Sequence, residues 1–275
     1  MKLLNLINLD KSEVKYNLTR FPDGEPNITI TDELDRKNPI EVVCRISNTD
    51  DLFVLLQVGD ILDRQEMVWY LSIKYLMSMR MDRVMDFNRP FSLKIVCRMI
   101  SSMNYQVVKV LEPHSYITEL LLGSRYEKDE FDYSCHFNVY GNTVIVFPDK
   151  GAKDRFGDMH HSHIKYLSFS KVRDLSTGKI KSFEIDKDQL SVLPKLKDYN
   201  FVFIDDLCDA GGTFLGELEV LKNEYPSSEY SIIVTHMVNR KGIENLSSKF
   251  DKVLFTNSYQ DWTDLPENCE MINIL

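Results

Sequence analysis

One segment constrains the fold of this 275-residue chain more than any other: FVFIDDLCDAGGTF, Phe201–Phe214. Its four leading apolar residues are typical of a short buried strand, and the Gly-Gly-Thr run after Asp209 opens a helix. In an open parallel sheet, ligands bind beyond the carboxyl ends of the strands. Helix N-terminal amides attract phosphate, and the adjacent carboxylates of Asp205 and Asp206 can accept hydrogen bonds from a sugar diol. The segment therefore predicts a sugar-phosphate loop, with an acidic turn before a capped helix as the alternative.

Strand and helix signals alternate along most of the chain. Ile40–Ile46 is short and rich in β-branched residues, and Asp51–Arg64 follows with helical spacing of apolar residues. The alternation resumes beyond a polar stretch at Gly123–Asn142. This pattern predicts an α/β protein with two domains, each a parallel sheet flanked by helices. The remaining predicted strands are Val68–Leu76, Tyr105–Leu111, Thr143–Phe147, Ile164–Phe169, Phe201–Ile204, Tyr230–Thr235 and Lys252–Phe255, and the remaining helices are Phe91–Met103 and Gly212–Asn223.

Charge and cysteine usage exclude several classes of protein. With 33 Lys plus Arg against 42 Asp plus Glu, the net charge of −9 disfavours general binding to nucleic acid or to anionic membranes. No apolar run approaches the roughly 18 residues of a membrane span, and the N-terminal apolar stretch is too interrupted for a signal peptide. The five cysteines are odd in number and form no CxxC pair, which predicts reduced thiols and a cytoplasmic location. His160, His161 and His163 lack cysteine partners, so a solvated loop is expected there rather than a zinc site.

The Asp-Asp-x-x-Asp-x-Gly-Gly-Thr loop resembles that of the type I phosphoribosyltransferases and of their relatives, the ribose-phosphate pyrophosphokinases (PRPP synthetases). Both groups bind a ribose 5-phosphate unit here, and the resemblance implies two similar doubly wound parallel-sheet domains. The loop alone does not separate the two groups. It assigns sugar-phosphate binding to Asp205, Asp206, Asp209, Ala210, Gly211, Gly212 and Thr213.

Two earlier segments resemble the ATP-binding parts of the pyrophosphokinases. RFPDGEPNITI resembles a segment that reaches the adenine of ATP on a neighbouring subunit, which would involve Phe21, Asp23 and Glu25. MRMDR resembles the loop that holds ATP, with Met81 in place of the usual Gln, and the RPFSLK run after it is also similar. The residues of this loop that would bind ATP are Arg80, Asp82 and Arg83. Taken alone, the first segment is typical of a surface turn and the second of a solvated basic patch.

Two further motifs imply a magnesium site. LEPHS resembles a strand-end motif whose His114 would contact Mg–ATP, and FPDKG resembles a segment whose Asp149 would be the second ligand. Mg²⁺ favours few carboxylates together with water and substrate phosphates, so one Asp with bound ATP would suffice. A lone histidine at a strand end is otherwise usually structural.

The segment FSKVRDLSTGKI, Phe169–Ile180, favours the pyrophosphokinases over the phosphoribosyltransferases. It resembles their flexible catalytic loop and assigns the catalytic roles to Lys171 and Arg173. Positioned cations of this kind stabilise the charge that develops on a transferred diphosphoryl group. Without its position among the other motifs, the segment would be interpreted as an exposed hairpin turn.

Taken together, the motifs indicate an ATP-binding domain at residues 1–125 and a sugar-phosphate domain at 126–275, with the active site in the cleft between them. The expected reaction is Mg²⁺-dependent transfer of the β,γ-diphosphate of ATP to a 5-phosphorylated ribose, in a homo-oligomer. The alternatives are a phosphoribosyltransferase and a non-catalytic regulatory homologue. The sequences of the DDLCDAGGT and MRMDR motifs are most similar to those of virus-encoded (phage) relatives that feed NAD synthesis. This resemblance makes ADP-ribose a second expected acceptor beside ribose 5-phosphate. Ala210, where many relatives have Thr, would leave room for the larger acceptor. Lys150, Lys153 and Arg155 could meet its extra diphosphate, with a solvated helix face as the alternative.

Overall fold

The chain folds into two compact units, described here by a computed structural model. The first unit is Met1–Phe131 together with Leu275, and the second is Asp132–Ile274. The residues that the structure describes are 1–137, 141–156, 165–173, 180–185, 189–190, 193–194 and 198–275.

The first unit is built on a parallel sheet of five strands in the order β1-β4-β5-β6-β7. A separate antiparallel pair, β2 with β3, lies between the first two of these strands in the chain. The strands are β1 (Lys2–Asn5), β2 (Tyr16–Arg20), β3 (Pro26–Ile30), β4 (Ile40–Ile46), β5 (Trp69–Leu76), β6 (Val108–Leu111) and β7 (Tyr126–Asp129). The helices are α1 (Thr49–Arg64), α2 (Ser92–Ser101) and α3 (Ile117–Leu122).

Local sequence accounts for the first strand–helix crossover of this unit. Strand β4 is buried along most of its length, as its β-branched composition predicts. Helix α1 starts after Asn48, whose side-chain oxygen accepts a 3.0 Å hydrogen bond from the Asp51 backbone N–H. Acidic residues in its first turn interact favourably with the helix dipole and stabilise the helix. The buried face of α1, with Leu55, Val58 and Leu62, belongs to the same apolar core as the strands.

The second unit is built on a sheet of seven strands in the order β10-β9-β8-β11-β12-β13-β14. Among its described strands, β10 alone runs antiparallel to its neighbour. The strands are β8 (Thr143–Phe147), β9 (Lys165–Arg173), β10 (Ile180–Ile185), β11 (Asn200–Cys208), β12 (Glu229–Met237), β13 (Lys252–Thr256) and β14 (Cys269–Ile272). The helices with described ends are α4 (Lys150–Phe156), α5 (Gly212–Glu224) and α6 (Arg240–Ser247).

The predicted α/β class with parallel sheets is confirmed, and the two sheets differ in strand order. In the second unit the chain passes from β8 to β9 on one side and returns to β11 on the other. This reversal is that of a doubly wound sheet, and it predicts a ligand site at the carboxyl ends of β8 and β11. The sheet of the first unit follows chain order without a reversal.

The boundary between the units differs from the one expected after residue 125. Strand β7 pairs with β6 over four residues, and Lys74 Nζ on β5 lies 2.8 Å from a carboxylate oxygen of Asp129. Residues 126–131 therefore belong to the first unit. Among the described helices, none combines the length and the apolar character that crossing a bilayer requires.

Candidate active site

Three neighbouring strands of the second unit bring the predicted site residues together. Strand β8 pairs in parallel with both β9 and β11, so the carboxyl ends of all three strands lie at one edge of the sheet. Asp149 follows β8, Lys171 lies near the end of β9, and Asp205 and Asp206 lie in the last part of β11. The strand-order reversal thus places four predicted residues where a doubly wound sheet binds its ligand.

Asp149 and Lys171 form an ion pair at this edge. Lys171 Nζ donates to Asp149 Oδ2 over 2.9 Å, and the other carboxylate oxygen accepts from the Ala152 backbone N–H at 3.0 Å in the first turn of α4. Burial opposes ionisation of Asp149, but these hydrogen bonds and the charge of Lys171 outweigh it and hold its pKa below the ordinary value. The side chain of Asp149 remains 41% exposed, so an ionised carboxylate faces the open edge of the site.

Arg155 on α4 holds the two aspartates of β11. Its Nη2 lies 2.7 Å from Asp205 Oδ1 and 2.6 Å from Asp206 Oδ1, and all three side chains are largely or fully buried. Burial and the adjacent charge of Asp206 raise the pKa of Asp205 well above its ordinary value, and the guanidinium only partly offsets this. In this structure the guanidinium of Arg155 pairs with these two aspartates, and its expected contact with the extra diphosphate of a larger acceptor stays a prediction.

The loop from Asp209 to Thr213 is shaped by backbone conformation and by two asparagines. Gly211 has a φ of +79°, which favours glycine, and an added Cβ would lie 3.0 Å from Leu246 Cδ2. Asn245 Nδ2 donates to the Ala210 carbonyl at 2.8 Å, and Asn239 Nδ2 donates to Asp209 Oδ1 at 2.9 Å. Helix α5 begins directly after Gly211, which has no side chain to cap it. The N–H groups of its first turn thus suit the phosphate that the motif predicts.

The first unit gathers a second group of predicted residues. Arg80, Asp82 and Arg83 lie in the loop between β5 and α2, and His114 lies between β6 and α3. Since β5 and β6 are parallel neighbours, both loops leave the same edge of the sheet. Asp82 is 7% exposed and pairs with Arg83 Nε at 3.2 Å, whereas the arginine side chain is 74% exposed.

The preceding residues of the β6 loop are held tightly. Glu112 is buried with a φ of +37°. Its carboxylate accepts from the Phe131 N–H at 2.8 Å, and its own N–H donates to the Asp129 carbonyl at 2.9 Å. A non-glycine residue in this conformation is uncommon and persists where its surroundings determine it. The backbone that leads to His114 is therefore fixed by its contacts with β7 and the residues after it.

The predicted adenine-binding residues lie on a different sheet of the first unit. Phe21, Asp23 and Glu25 form the exposed turn of the β2–β3 hairpin, which is closed by a 2.9 Å hydrogen bond from Phe21 N to the Glu25 carbonyl. Arg20 at the end of β2 donates to the Gly24 carbonyl and to Asp50 at the start of α1. The turn is therefore ordered by its own contacts while its predicted functional side chains face outward.

Part of the predicted catalytic segment is a strand rather than a loop. Phe169 to Arg173 lie in β9, and Ile180 begins its antiparallel partner β10. The side chain of Arg173 and residues 174–179 lie outside the described part of the chain, as do His160, His161 and His163.

Sequence reasoning missed two features of the site. The first is the pairing of Arg155, which joins α4 to β11 across 50 residues of sequence. A sequence signal for it exists, because a buried acidic pair with no Lys or Arg in its own loop needs a cation from elsewhere.

The second feature is Glu217 on α5, which is fully buried. Its ionisation is opposed by burial and by the charges of Asp205 and Asp149. The stripe Phe214, Glu217, Leu218, Leu221 has the i, i+3, i+4, i+7 spacing of a buried helix face, which is a sequence signal for that burial.

Comparison with known proteins adds to this geometry. No protein-family model matches the chain. A ribose-phosphate pyrophosphokinase of Pyrococcus furiosus is 26% identical over 249 residues, which cover 88% of this chain and 85% of the relative. Enzymes of the same name from Pyrococcus abyssi and Thermococcus kodakarensis are 25% and 24% identical, covering 92% of this chain in each case and 85% and 89% of the relatives.

The comparisons support the predicted ribose-phosphate pyrophosphokinase family. The fold is similar to that of phosphoribosylpyrophosphate synthetase from Mycobacterium smegmatis, whose crystal structure superimposes with a TM-score of 0.76. That match covers 100% of this chain and 95% of the other at 14% sequence identity. These relatives are enzymes, and the similarity extends over both units of the chain rather than over the sugar-phosphate loop alone.

Proposed function

We propose that the protein transfers the β,γ-diphosphate of ATP to the anomeric hydroxyl of a 5-phosphorylated ribose and releases AMP. The observation that carries this proposal is the Lys171–Asp149 pair beside the acidic loop of β11. A phosphoribosyltransferase, which consumes an activated sugar, needs no such lysine for diphosphoryl transfer. The similarity to named pyrophosphokinases over most of the chain supports the same reaction.

The proposed chemistry requires no covalent intermediate. The anomeric oxygen attacks the β-phosphorus in line, the bond from that phosphorus to the α,β-bridging oxygen breaks, and the hydroxyl proton is released. Asp205, Asp206 and the Asp209–Thr213 loop hold the ribose and its 5-phosphate. Lys171, with Arg173, stabilises the negative charge that develops on the transferred group. Arg155 keeps the acidic pair in place before the sugar binds.

The residues of the second unit fit a role for Mg²⁺. The carboxylate of Asp149 is ionised, partly exposed and oxygen-donating, which is the kind of ligand this ion prefers alongside substrate phosphates. When bound, the ion would neutralise and orient the triphosphate. His114 is the proposed contact from the first unit, where Arg80, Asp82, Arg83 and the hairpin residues Phe21, Asp23 and Glu25 are the proposed ATP-binding set. The role of the hairpin residues on a neighbouring subunit makes a homo-oligomer part of the proposal.

Two acceptors are proposed, with ribose 5-phosphate as the default. ADP-ribose has the same free anomeric hydroxyl and 5-phosphate, and Ala210 favours it because this residue adds neither a hydroxyl nor bulk where many relatives have Thr. The hydrogen bond that a threonine would add contributes only about 0.5–1.5 kcal/mol. Ala210 therefore shifts the preference between the two acceptors without determining it. Steady-state kinetics with both acceptors tests the point. A kcat/KM for ribose 5-phosphate at least tenfold above that for ADP-ribose would remove ADP-ribose from the proposal.

The direct test of the reaction type is AMP formation from ATP and Mg²⁺ with and without ribose 5-phosphate. The proposal predicts AMP that depends on the sugar and no ADP. A protein that makes no AMP but releases diphosphate from phosphoribosyl pyrophosphate with a nucleobase would be a phosphoribosyltransferase. A protein that binds nucleotide without either reaction would be a non-catalytic homologue.

A further inference from the structure

Glu217 on α5 is a buried carboxyl that the proposed reaction leaves unexplained. Its residue exposure is 0%, and neither of its carboxyl oxygens has a hydrogen-bond partner among the described residues. Burial, reinforced by the charges of Asp205 and Asp149, raises its pKa to about 10, so it is neutral at pH 7. Buried polar groups in proteins are nearly always hydrogen-bonded, and an exception of this kind calls for a reason.

The position of Glu217 relates it to Lys171. Lys171 on β9 and Phe183 on β10 are directly opposite each other in the hairpin. Gly216, the residue before Glu217, packs so closely on Phe183 that an added Cβ would lie 2.2 Å from its ring. Helix α5 therefore lies tightly against the strand pair that carries Lys171, and the charge of Lys171 acts on the Glu217 carboxyl.

Among the described residues, the ammonium of Lys171 has one ion-pair partner, Asp149. In this structure its ammonium donates to Asp149, the carboxylate that the proposed function assigns to Mg–ATP. A cation bound at Asp149 competes for the same oxygens and weakens this pair, which leaves N–H donors of Lys171 available to other acceptors when substrates bind. An ammonium has three N–H donors, and one can remain with the protein while two reach phosphate oxygens.

We propose that Glu217 is a positioning residue for Lys171, accepting a hydrogen bond from its ammonium once Asp149 is engaged by substrate. The carboxyl then keeps the lysine at the site, and its buried oxygen gains a partner. The role needs an acceptor oxygen and not a charge, because a neutral carboxyl can still accept a hydrogen bond. This inference rests on the proposed function, since it presupposes that Lys171 acts in diphosphoryl transfer.

If Glu217 positions Lys171, an apolar replacement should affect stability and activity differently. Exchanging an unpartnered buried carboxyl for an apolar side chain of similar volume is neutral or stabilising. Glu217→Leu should therefore unfold at the same temperature as the wild type or higher. If Glu217 positions Lys171, the same variant should nevertheless lose activity, whereas Glu217→Gln, which keeps an acceptor oxygen, should retain it.

The test compares three variants in steady-state AMP formation and in thermal unfolding. Glu217→Leu is expected to lower kcat about tenfold or more with the KM for ATP within about twofold, as expected when a transition-state interaction is lost. Glu217→Gln should stay within about threefold of the wild-type kcat. Glu219→Leu on the exposed side of the same helix is the control and should leave kcat unchanged. If Glu217→Leu fails to fold, Glu217→Ala takes its place in the comparison.

The outcomes separate this inference from the proposed function. A wild-type protein that forms no AMP from ATP and ribose 5-phosphate overturns the proposed function, and this inference with it. An active wild type with full kcat in Glu217→Leu overturns only the positioning role. An equal loss in Glu217→Gln and Glu217→Leu overturns it as well, since an acceptor oxygen would then not be sufficient.

Discussion

Replacing Arg155 by methionine removes the cation that holds two buried carboxylates, and we expect a large, pH-dependent loss of stability. Asp206 is 1% exposed and Asp205 is 15% exposed at the side chain, so neither can recover full hydration in place. Breaking a buried ion pair by removing one partner costs about 3–5 kcal/mol. We expect the lower end, about 3 kcal/mol, because Asp205 can take up a proton. For a unit of this size, the expected decrease in Tm is about 10 °C.

The pH dependence follows from the direction of the pKa shift. The pKa of Asp205 is already raised in the folded protein, and loss of the guanidinium raises it further. The folded variant therefore binds more protons than its unfolded chain, so its stability falls as pH rises above the ordinary aspartate pKa. The difference in Tm from the wild type should be largest near pH 8 and should shrink towards pH 5.

Thermal unfolding at several pH values measures this effect. Arg64→Met is the matched control, because Arg64 forms an exposed pair with Asp60 at 2.8 Å and such pairs contribute little. A Tm of the Arg155 variant within about 3 °C of the wild type at pH 8 would contradict a stabilising role of Arg155. A loss of stability that is the same at pH 5 and pH 8 would contradict the expected pH dependence.

Three further predictions concern the reaction. Lys171→Ala should lower turnover by about 10²-fold or more with little change in the KM for ATP, because the lysine acts on transition-state charge. Near-normal turnover in steady-state assays would refute this role. Excess EDTA should abolish activity and added Mg²⁺ should restore it, because the triphosphate needs a cation, and full activity in EDTA would exclude the proposed ion. If Phe21, Asp23 and Glu25 complete a neighbour's ATP site, light scattering at assay concentration should show an oligomer, with isologous dimers as the usual unit, and a fully active monomer would contradict this.

The acidic loop was predictable because its signals are local. The apolar run ends just before Asp205, and Gly211, directly before α5, has the positive φ that favours glycine. The strand continues through the aspartates to Cys208, beyond the predicted end at Ile204. This extension depends on pairing of β11 with β12, as Leu207 and Cys208 pair with His236 and Met237.

Features that depend on distant partners were less predictable. Strand β7 has the polar sequence YEKD at the edge of its sheet, so no apolar pattern marks it, and its place depends on pairing with β6. Lys171 was predicted to lie in a loop because Phe169–Ile180 resembles the flexible catalytic loop of the pyrophosphokinases, whereas pairing with β10 forms a strand there. The burial of Glu217 was readable from the apolar stripe on α5, but the missing hydrogen-bond partner could be found only in three dimensions.

Diphosphoryl transfer is tested most directly by the fate of the phosphates of ATP. With ribose 5-phosphate, Mg²⁺ and ATP labelled at the γ-phosphate, we expect unlabelled AMP and a sugar product that is heavier by two phosphate groups and carries the label. Mass spectrometry of the product mixture distinguishes this from other transfers. Labelled sugar that is heavier by one phosphate group, accompanied by ADP, would contradict diphosphoryl transfer.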